Sequence, residues 1–142
     1  MATATLQSAP VQPPKAARWP YWLVTGLLAA FMALGALLDV SRHPDALTAI
    51  RHLGYPAYFV PYIGVLKLLG VAAVLLPGRW PRLREWAYAG LFFDTTGALY
   101  SAIATGDAPA TWLPAVLGIA LTLGSYYGYR RRTTAAAGAI AL

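Results

Sequence analysis

The sequence contains no cysteine and little charge: charged residues make up 11% of its 142 residues. Without cysteine the chain has no disulfide, no thiolate nucleophile, no zinc–sulfur site and no iron–sulfur cluster. Soluble domains carry about 25% charged residues, so this chain has too few charges to cover a surface that faces water. These absences exclude a soluble enzyme, a disordered protein and a disulfide-rich secreted domain.

Hydrophobic residues make up 58% of the chain, and most of them lie in four long runs. A helix that crosses the hydrocarbon core of a bilayer needs about 20 apolar residues. The runs therefore predict an all-α fold, a transmembrane four-helix bundle within residues 19–132. We expect the spans at residues 19–40, 56–76, 85–105 and 110–129. The flanking segments 1–18 and 133–142 are predicted to be tails, and the first is predicted to be disordered.

The longest connection, Ser41–Tyr55, is predicted to contain a short amphipathic helix between the first two spans. Pro44 suits the first turn of a helix and Gly54 suits its end. Between them apolar residues recur every three positions, at Leu47, Ile50 and Leu53. We expect this helix to lie on the membrane surface or over the mouth of the bundle. Asp39, just before this connection, is expected to close the first span at the interface.

The net charge of +6 is unevenly distributed among the connections. On the side of the first connection, the basic residues are Arg42 and Arg51. On the other side, eight residues are basic: Lys15, Arg18, Arg79, Arg82, Arg84 and Arg130–Arg132. Because cytoplasmic loops of membrane proteins are rich in Lys and Arg, we expect both termini in the cytoplasm. The same rule makes the lipid bilayer, and not a nucleic acid, the expected partner of this charge.

Lys67 and Asp94 are predicted to lie deepest among the charged residues of the spans. Each lies nine residues from the predicted cytoplasmic end of its helix, so both are roughly 14 Å deep. A lone charge at that depth is costly, and such residues pair or line a wet cavity. The sequence predicts a structural ion pair or a pocket for a ligand head group or a proton. Two side chains that reach the interface separately are the third alternative.

Polar and small residues near this pair are candidates for the lining of such a pocket. They are Tyr58, Tyr62, Glu85, Gly97, Tyr100 and Ser101. Small residues in membrane helices also permit close helix packing, so a structural role competes with binding. His43 and His52 are predicted to be solvated, with a metal site in the loop as the alternative. No catalytic residue and no metal ligand is predicted.

Two segments of the chain carry the residues on which a resemblance to a known family rests. They are HLGYPAYFVPYIGVLKLLGVAAVLLP at His52–Pro77 and REWAYAGLFFDTTGALYS at Arg84–Ser101. Together they resemble the DoxX-like family of small bacterial four-helix membrane proteins, over about Tyr21–Tyr129. The resemblance implies a bacterial inner-membrane protein. The family is similar to DoxX and DoxD proteins, some of which are linked to quinone-coupled sulfur oxidation, and to an animal family that includes a receptor-assembly chaperone.

Three functions agree with these features. The first is a non-catalytic accessory or assembly partner of a membrane complex, which needs no cofactor and binds another membrane protein or a second copy. The second follows from the resemblance: a quinone-linked redox accessory in which Lys67 binds a quinone oxygen and Tyr58, Tyr62 or Tyr100 stacks on the ring. The third is a small oligomeric transporter that uses Asp94 as its carrier group. Catalysis by the chain alone is not expected.

Overall fold

The structure, a computed structural model, describes residues 18–76 and 80–140, and within them the side chains of 20–76 and 80–134. Its α-helices are α1 (Arg18–Val40), α2 (Pro44–His52), α3 (Phe59–Leu75), α4 (Pro81–Ala104) and α5 (Leu113–Ile140), and a 3₁₀ turn covers Pro109–Trp112. The described residues form no β-strand. The predicted all-α fold is therefore confirmed.

The four long helices form a ring in which each packs against two others. α1 and α4 both contact α3 and α5. Neighbouring helices run in opposite directions: the first turns of α4 meet the C-terminal half of α5 where Glu85 binds Arg130. The ring therefore has an α2 end, which carries α2 and the α4–α5 connection, and an arginine end. The arginine end carries Arg82, Arg84 and Arg130–Arg132.

Three helices stop at the α2 end by the same pattern of backbone hydrogen bonds. In each, the three N–H groups that follow the last helical residue donate to carbonyl groups of the last turn. This ending needs a residue with positive φ, which is Arg42 after α1, Gly54 after α2 and Gly106 after α4. The stop places the end of α1 beside Gly64, one turn inside α3. α3 therefore extends about one turn further toward the α2 end than α1 does.

The core of the bundle contains apolar residues from all four long helices. They are Tyr21, Leu28, Ala29, Met32, Val71, Ala73, Val74, Ala87, Tyr88, Leu91 and Tyr129. Two glycines let neighbouring helices approach more closely than a side chain would allow. A Cβ atom on Gly64 would lie 2.7 Å from Cβ of Asp39, and one on Gly118 would lie 2.6 Å from Cγ2 of Thr95. Close packing at these points holds α1 on α3 and α5 on α4.

The second and third predicted spans differ from the observed helices at their first residues. α3 begins at Phe59, three residues later than predicted, because residues 57–58 form a turn after Pro56. α4 begins at Pro81, four residues earlier than predicted. Proline suits this first helical position because its fixed φ is helical and its missing N–H has no partner there. α3 ends at Leu75, one residue before the predicted end of the second span.

The fourth predicted span differs at both ends. α5 begins at Leu113, three residues later than predicted, because residues 109–112 form the 3₁₀ turn, and it is extended at its C-terminal end. The sequence predicted a stop near Tyr129 and a tail from residue 133, whereas α5 continues to Ile140. The extension contains no proline and is rich in alanine, which has the highest helix propensity. The predicted disordered tail falls almost entirely on residues 1–17, which lie outside the described part of the chain.

Among the described residues, one helix is long and apolar enough to cross a membrane, at Pro20–Val40 of α1. α3 is apolar as well but has 17 residues. α4 contains four charged residues, and α5 contains three consecutive arginines, Arg130–Arg132, so their hydropathy is lower. The predicted short helix is present as α2. The four membrane crossings remain a prediction.

Candidate functional site

Three charged side chains from three helices meet in the middle of the bundle. Lys67, the central residue of α3, donates a hydrogen bond from Nζ to Oδ2 of Asp39 on α1 at 3.0 Å. The same Nζ lies 3.5 Å from Oδ2 of Asp94 on α4. The side chains of Lys67, Asp39 and Asp94 are 20%, 17% and 15% exposed. We call these three residues the charged triad.

The charged triad holds two carboxylates and one ammonium group. The shorter contact joins Lys67 to Asp39, and these two side chains together carry no net charge. Asp94 makes the longer contact and is the carboxylate in excess. In a site of low polarity an excess carboxylate favours a bound proton, a cation or a hydrogen-bond donor. Asp94 is therefore the member of the triad whose charge is not balanced within it.

The end of α1 explains why Asp39 faces the interior. Asp39 is the second-last residue of α1, and it lies against Gly64, which has no side chain to push it away. The last carbonyl groups of a helix carry partial negative charge. The ammonium group of Lys67 therefore stabilises both Asp39 and the end of α1. The sequence prediction placed Asp39 at the interface as a closing residue and missed its contact with Lys67.

The first of two cavities at the triad, the lateral groove, has a volume of about 460 Å³ and lies between α3 and α4. Lys67 and Asp94 supply its charged groups. Its walls are apolar and include Leu69, Trp86, Gly90 and Phe93. Leu69, Trp86 and Phe93 are exposed on the outside of the ring, so the groove opens sideways.

The second cavity, the end cavity, has a volume of about 500 Å³ and lies at the α2 end. It reaches the same two side chains, Lys67 and Asp94, from a different direction. Its mouth is lined by residues of α2, by the residue that follows α2 and by the α4–α5 connection: Ala49, His52, Leu53, Asp107 and Thr111. The early stop of α1 leaves this space above the triad, and α2 lies across it.

The structure brings Lys67 and Asp94 together but places the other predicted lining residues outside both cavities. Four of them are exposed on outer faces: Tyr58, Tyr62, Gly97 and Tyr100. An α-helix turns by about 100° per residue. Tyr62 therefore points about 140° away from Lys67, and Tyr100 about 120° away from Asp94. Closeness along the chain suggested a shared pocket, but the rotation of each helix separates these side chains.

The two remaining candidates, Glu85 and Ser101, bind other residues. Oε1 of Glu85 accepts a hydrogen bond from Nη1 of Arg130 at 3.1 Å, at the arginine end. The buried Ser101 hydroxyl lies 3.0 Å from the hydroxyl of Tyr55, which ties the α2–α3 connection to α4. Both contacts join segments that are distant in sequence, so these side chains have structural partners.

His52 pairs with an acidic residue from the other side of the end cavity. Its Nε2 lies 2.6 Å from Oδ1 of Asp107, which joins α2 to the α4–α5 connection. The sequence predicted a solvated histidine, and this contact was missed because the partner is 55 residues away. In the described part of the chain, no three His, Asp or Glu side chains are arranged to hold a metal ion.

A second polar cluster joins the helices near the arginine end. The buried hydroxyl of Ser125 lies 2.7 Å from that of Thr25 and 2.8 Å from that of Tyr88. These residues come from α5, α1 and α4, and we call them the hydroxyl cluster. It lines neither the lateral groove nor the end cavity. All three groups are neutral, so their mutual hydrogen bonds satisfy them without a ligand.

Comparison with known proteins agrees with the helical arrangement. The sequence profile of the DoxX-like family matches residues 23–125, more than half of the chain and including the whole charged triad. The chain is also 38% identical over 55 residues to the uncharacterized protein YdgD of Bacillus subtilis (strain 168). That match covers 39% of this chain and 47% of the relative, so it spans about half of the relative's length. No solved structure matches the sequence. From the family match, the chain belongs to the DoxX-like family.

Proposed function

We propose that the chain is a multi-pass membrane protein in which the four long helices cross the bilayer. Large apolar side chains on the outside of every long helix support this topology. Examples are Leu23, Leu34, Leu69, Phe93, Ile103, Leu117 and Leu123, each between 46% and 69% exposed. Soluble monomers rarely expose apolar patches larger than a few hundred Å², whereas lipid covers such a surface at no cost.

Two further observations support the membrane topology. Within the most apolar 18-residue stretch of α1, 22% of the stretch is buried inside the protein. The core helix of a soluble protein is, by contrast, mostly buried. Charged groups are concentrated at the two ends of the ring, and the charged triad is enclosed between them. Because basic residues mark the cytoplasmic side, we propose that the arginine end faces the cytoplasm of a bacterial inner membrane.

Single cysteines test this topology directly, since the chain has none of its own. Thr48→Cys and Ala110→Cys lie at the α2 end, and Pro81→Cys and Thr134→Cys lie at the arginine end. We expect an impermeant maleimide to label the first two in intact cells and the last two only after the membrane is opened. Equal labelling of Thr48→Cys and Pro81→Cys in intact cells would exclude the four-span arrangement.

Within this topology, we propose that the charged triad binds the polar head of a lipophilic molecule. The observation that carries the proposal is the lateral groove, an apolar cavity that opens sideways and ends at Lys67 and Asp94. A molecule dissolved in the bilayer reaches a sideways opening without crossing water. Its apolar part fits against walls that include Trp86 and Phe93, while its head meets the charged groups.

The donors and acceptors of the groove define the head group. Lys67 donates hydrogen bonds, and the excess carboxylate of Asp94 accepts them. A neutral head with hydroxyl groups satisfies both residues, because a hydroxyl accepts from Lys67 and donates to Asp94. Quinols belong to this class, whereas the carbonyl oxygens of a quinone accept from Lys67 only. The tyrosines expected to stack on a quinone ring lie outside the groove, and the rings of Trp86 and Phe93 line it instead. The residues therefore fit a quinol head as one member of this class.

Two glycines on α4 provide a matched test of ligand binding. A side chain at Gly90 or Gly97 would meet no atom within 4 Å of its Cβ. Gly90 lines the lateral groove and Gly97 does not. We expect extracts of the purified wild-type protein and of Gly97→Leu to contain a lipophilic molecule, identified by mass spectrometry. Gly90→Leu fills the groove and should retain roughly tenfold less, a loss of about 1.4 kcal/mol. Equal retention by both variants would overturn the proposal.

The role of accessory or assembly partner is the second candidate. It is favoured by the same open glycines, because Gly90 and Gly97 lie two turns apart on one face of α4 and leave its backbone accessible. Gly97→Leu distinguishes the candidates: loss of a co-purifying membrane protein with the lipophilic molecule retained supports the assembly role. Loss of the lipophilic molecule in Gly90→Leu alone supports the binding site.

A further inference from the structure

The end cavity differs from the lateral groove in its charge. Among its described lining residues are two carboxylates, those of Asp94 and Asp107, and one ammonium group, that of Lys67. The imidazole of His52 stands at the mouth, and Asp39 adds a third carboxylate behind Lys67. Along the cavity, three carboxylates therefore stand against the one ammonium group of Lys67. The negative groups lie at both its mouth and its bottom.

We infer that the end cavity is a water-filled vestibule that admits small cations, protons included, from the α2 end to Asp94. A cleft in which charges of one sign are in excess within apolar walls concentrates ions of the opposite sign. Carboxylates along a pore select cations in the same way. The inference rests on the proposed topology, in which the α2 end faces the outside. It gives Asp94 two approaches: one from the bilayer for a lipophilic molecule and one from water for a cation.

The geometry of α2 makes it the cover of this vestibule. No residue of α2 is buried, so little packing holds it in place. The residues on either side of it with positive φ, Arg42 and Gly54, turn the chain sharply. The 2.6 Å contact between His52 and Asp107 joins α2 to the opposite rim. Loss of that contact should widen the entrance.

Cysteine labelling with charged reagents tests the vestibule in membranes. Ala98 lines the end cavity, and its neighbour on α4, Gly97, faces outward. In Ala98→Cys we expect a cationic methanethiosulfonate to react about tenfold faster than an anionic one, after each rate is divided by that with a free thiol. Gly97→Cys should react with neither impermeant reagent, because lipid covers it.

The outcomes of this experiment separate the vestibule from the rest of the proposed function. If Ala98→Cys reacts with neither charged reagent in membranes but reacts after solubilisation, the cavity is closed to water and the inference is overturned. Equal normalised rates for the two reagents would overturn its selectivity for cations. Either result leaves retention of a lipophilic molecule and the labelling pattern of Thr48→Cys and Pro81→Cys unchanged, so failure of the topology is recognised separately.

The cover is tested by a second substitution in the Ala98→Cys background. His52→Ala removes the contact with Asp107, and we expect the cationic reagent to react several-fold faster. Thr48→Ala is the control, because Thr48 lies exposed on α2 one turn before His52. An unchanged rate in His52→Ala, or an equal increase in both variants, would show that the His52–Asp107 contact does not limit entry.

Discussion

The charged triad and the hydroxyl cluster both join α1 and α4 to a third helix, but they differ in balance and in access. The three hydroxyl groups of the cluster satisfy one another, and Thr25 and Ser125 are completely buried. The triad has one carboxylate more than its ammonium group can neutralise, and two cavities open to it. A polar cluster that only stabilises the fold needs neither an excess charge nor a cavity that opens to it.

This difference in charge balance and access indicates that the three residues of the triad have different roles. Asp39 and Lys67 form a neutral pair that joins α1 to α3, a task comparable to that of the hydroxyl cluster. Asp94 adds the unbalanced charge and, with Lys67, faces both cavities. We therefore expect the fold to depend most on Lys67 and least on Asp94, and ligand binding to depend on Asp94. Four substitutions test this ranking, from the largest expected loss of stability to the smallest.

Lys67→Met should cause the largest loss of stability, because it leaves two carboxylates together without a cation. Removal of one partner of a buried ion pair costs about 3–5 kcal/mol, and protonation of a carboxylate lowers that cost. The thermal unfolding midpoint in detergent measures the effect. Addition of Asp39→Asn and Asp94→Asn to Lys67→Met should restore much of the stability, and no recovery in this triple variant would contradict the electrostatic cause.

Gly64→Ala should rank second, because the new Cβ would lie 2.7 Å from Cβ of Asp39 and 2.9 Å from the backbone nitrogen of Val40. Overpacking of this kind costs about 1–3 kcal/mol. Gly97→Ala is the matched control: its Cβ meets nothing within 4 Å, and alanine stabilises a helix relative to glycine by about 0.5–1 kcal/mol. If both variants unfold at the same temperature, close packing at Gly64 does not position Asp39.

Ser125→Ala should rank third, because it removes the shared partner of Thr25 and Tyr88. We expect a loss of about 1 kcal/mol, within the range for hydrogen bonds between membrane helices. Retention of the lipophilic molecule should stay at the wild-type level, since this cluster lines neither cavity of the triad. Ser41→Ala removes an exposed hydroxyl and provides the control. Loss of the bound molecule in Ser125→Ala would remove the proposed distinction between the two polar regions.

The sequence predicts the all-α fold, the short helix α2 and the equal position of Lys67 and Asp94 along two neighbouring helices. Each of these follows from local signals: the length of apolar runs, Pro44 and Gly54 around α2, and equal distance along two neighbouring helices. Asp39 was missed because its role depends on where α1 stops relative to α3. The position at which α1 stops along α3 is set by the packing of Gly64 against the end of α1. No spacing in the sequence reveals this contact.

The candidate lining residues show a second limit. Tyr62 and Tyr100 are close to the charged residues along the chain, yet they point outward because helix rotation separates them from Lys67 and Asp94. His52 and Asp107 meet only after the ring of helices has brought α2 and the α4–α5 connection together. Contacts of this kind depend on the tertiary arrangement, and local patterns do not encode them.

The most direct test of the proposed role of Asp94 measures stability and ligand content in the same preparation of Asp94→Asn. The variant keeps the neutral pair of Asp39 and Lys67 and removes only the excess charge. We predict an unfolding free energy within about 1 kcal/mol of the wild type, together with loss of most of the bound lipophilic molecule. A large loss of stability with the bound molecule retained would contradict the assignment, because Asp94 would then serve the fold and not the site.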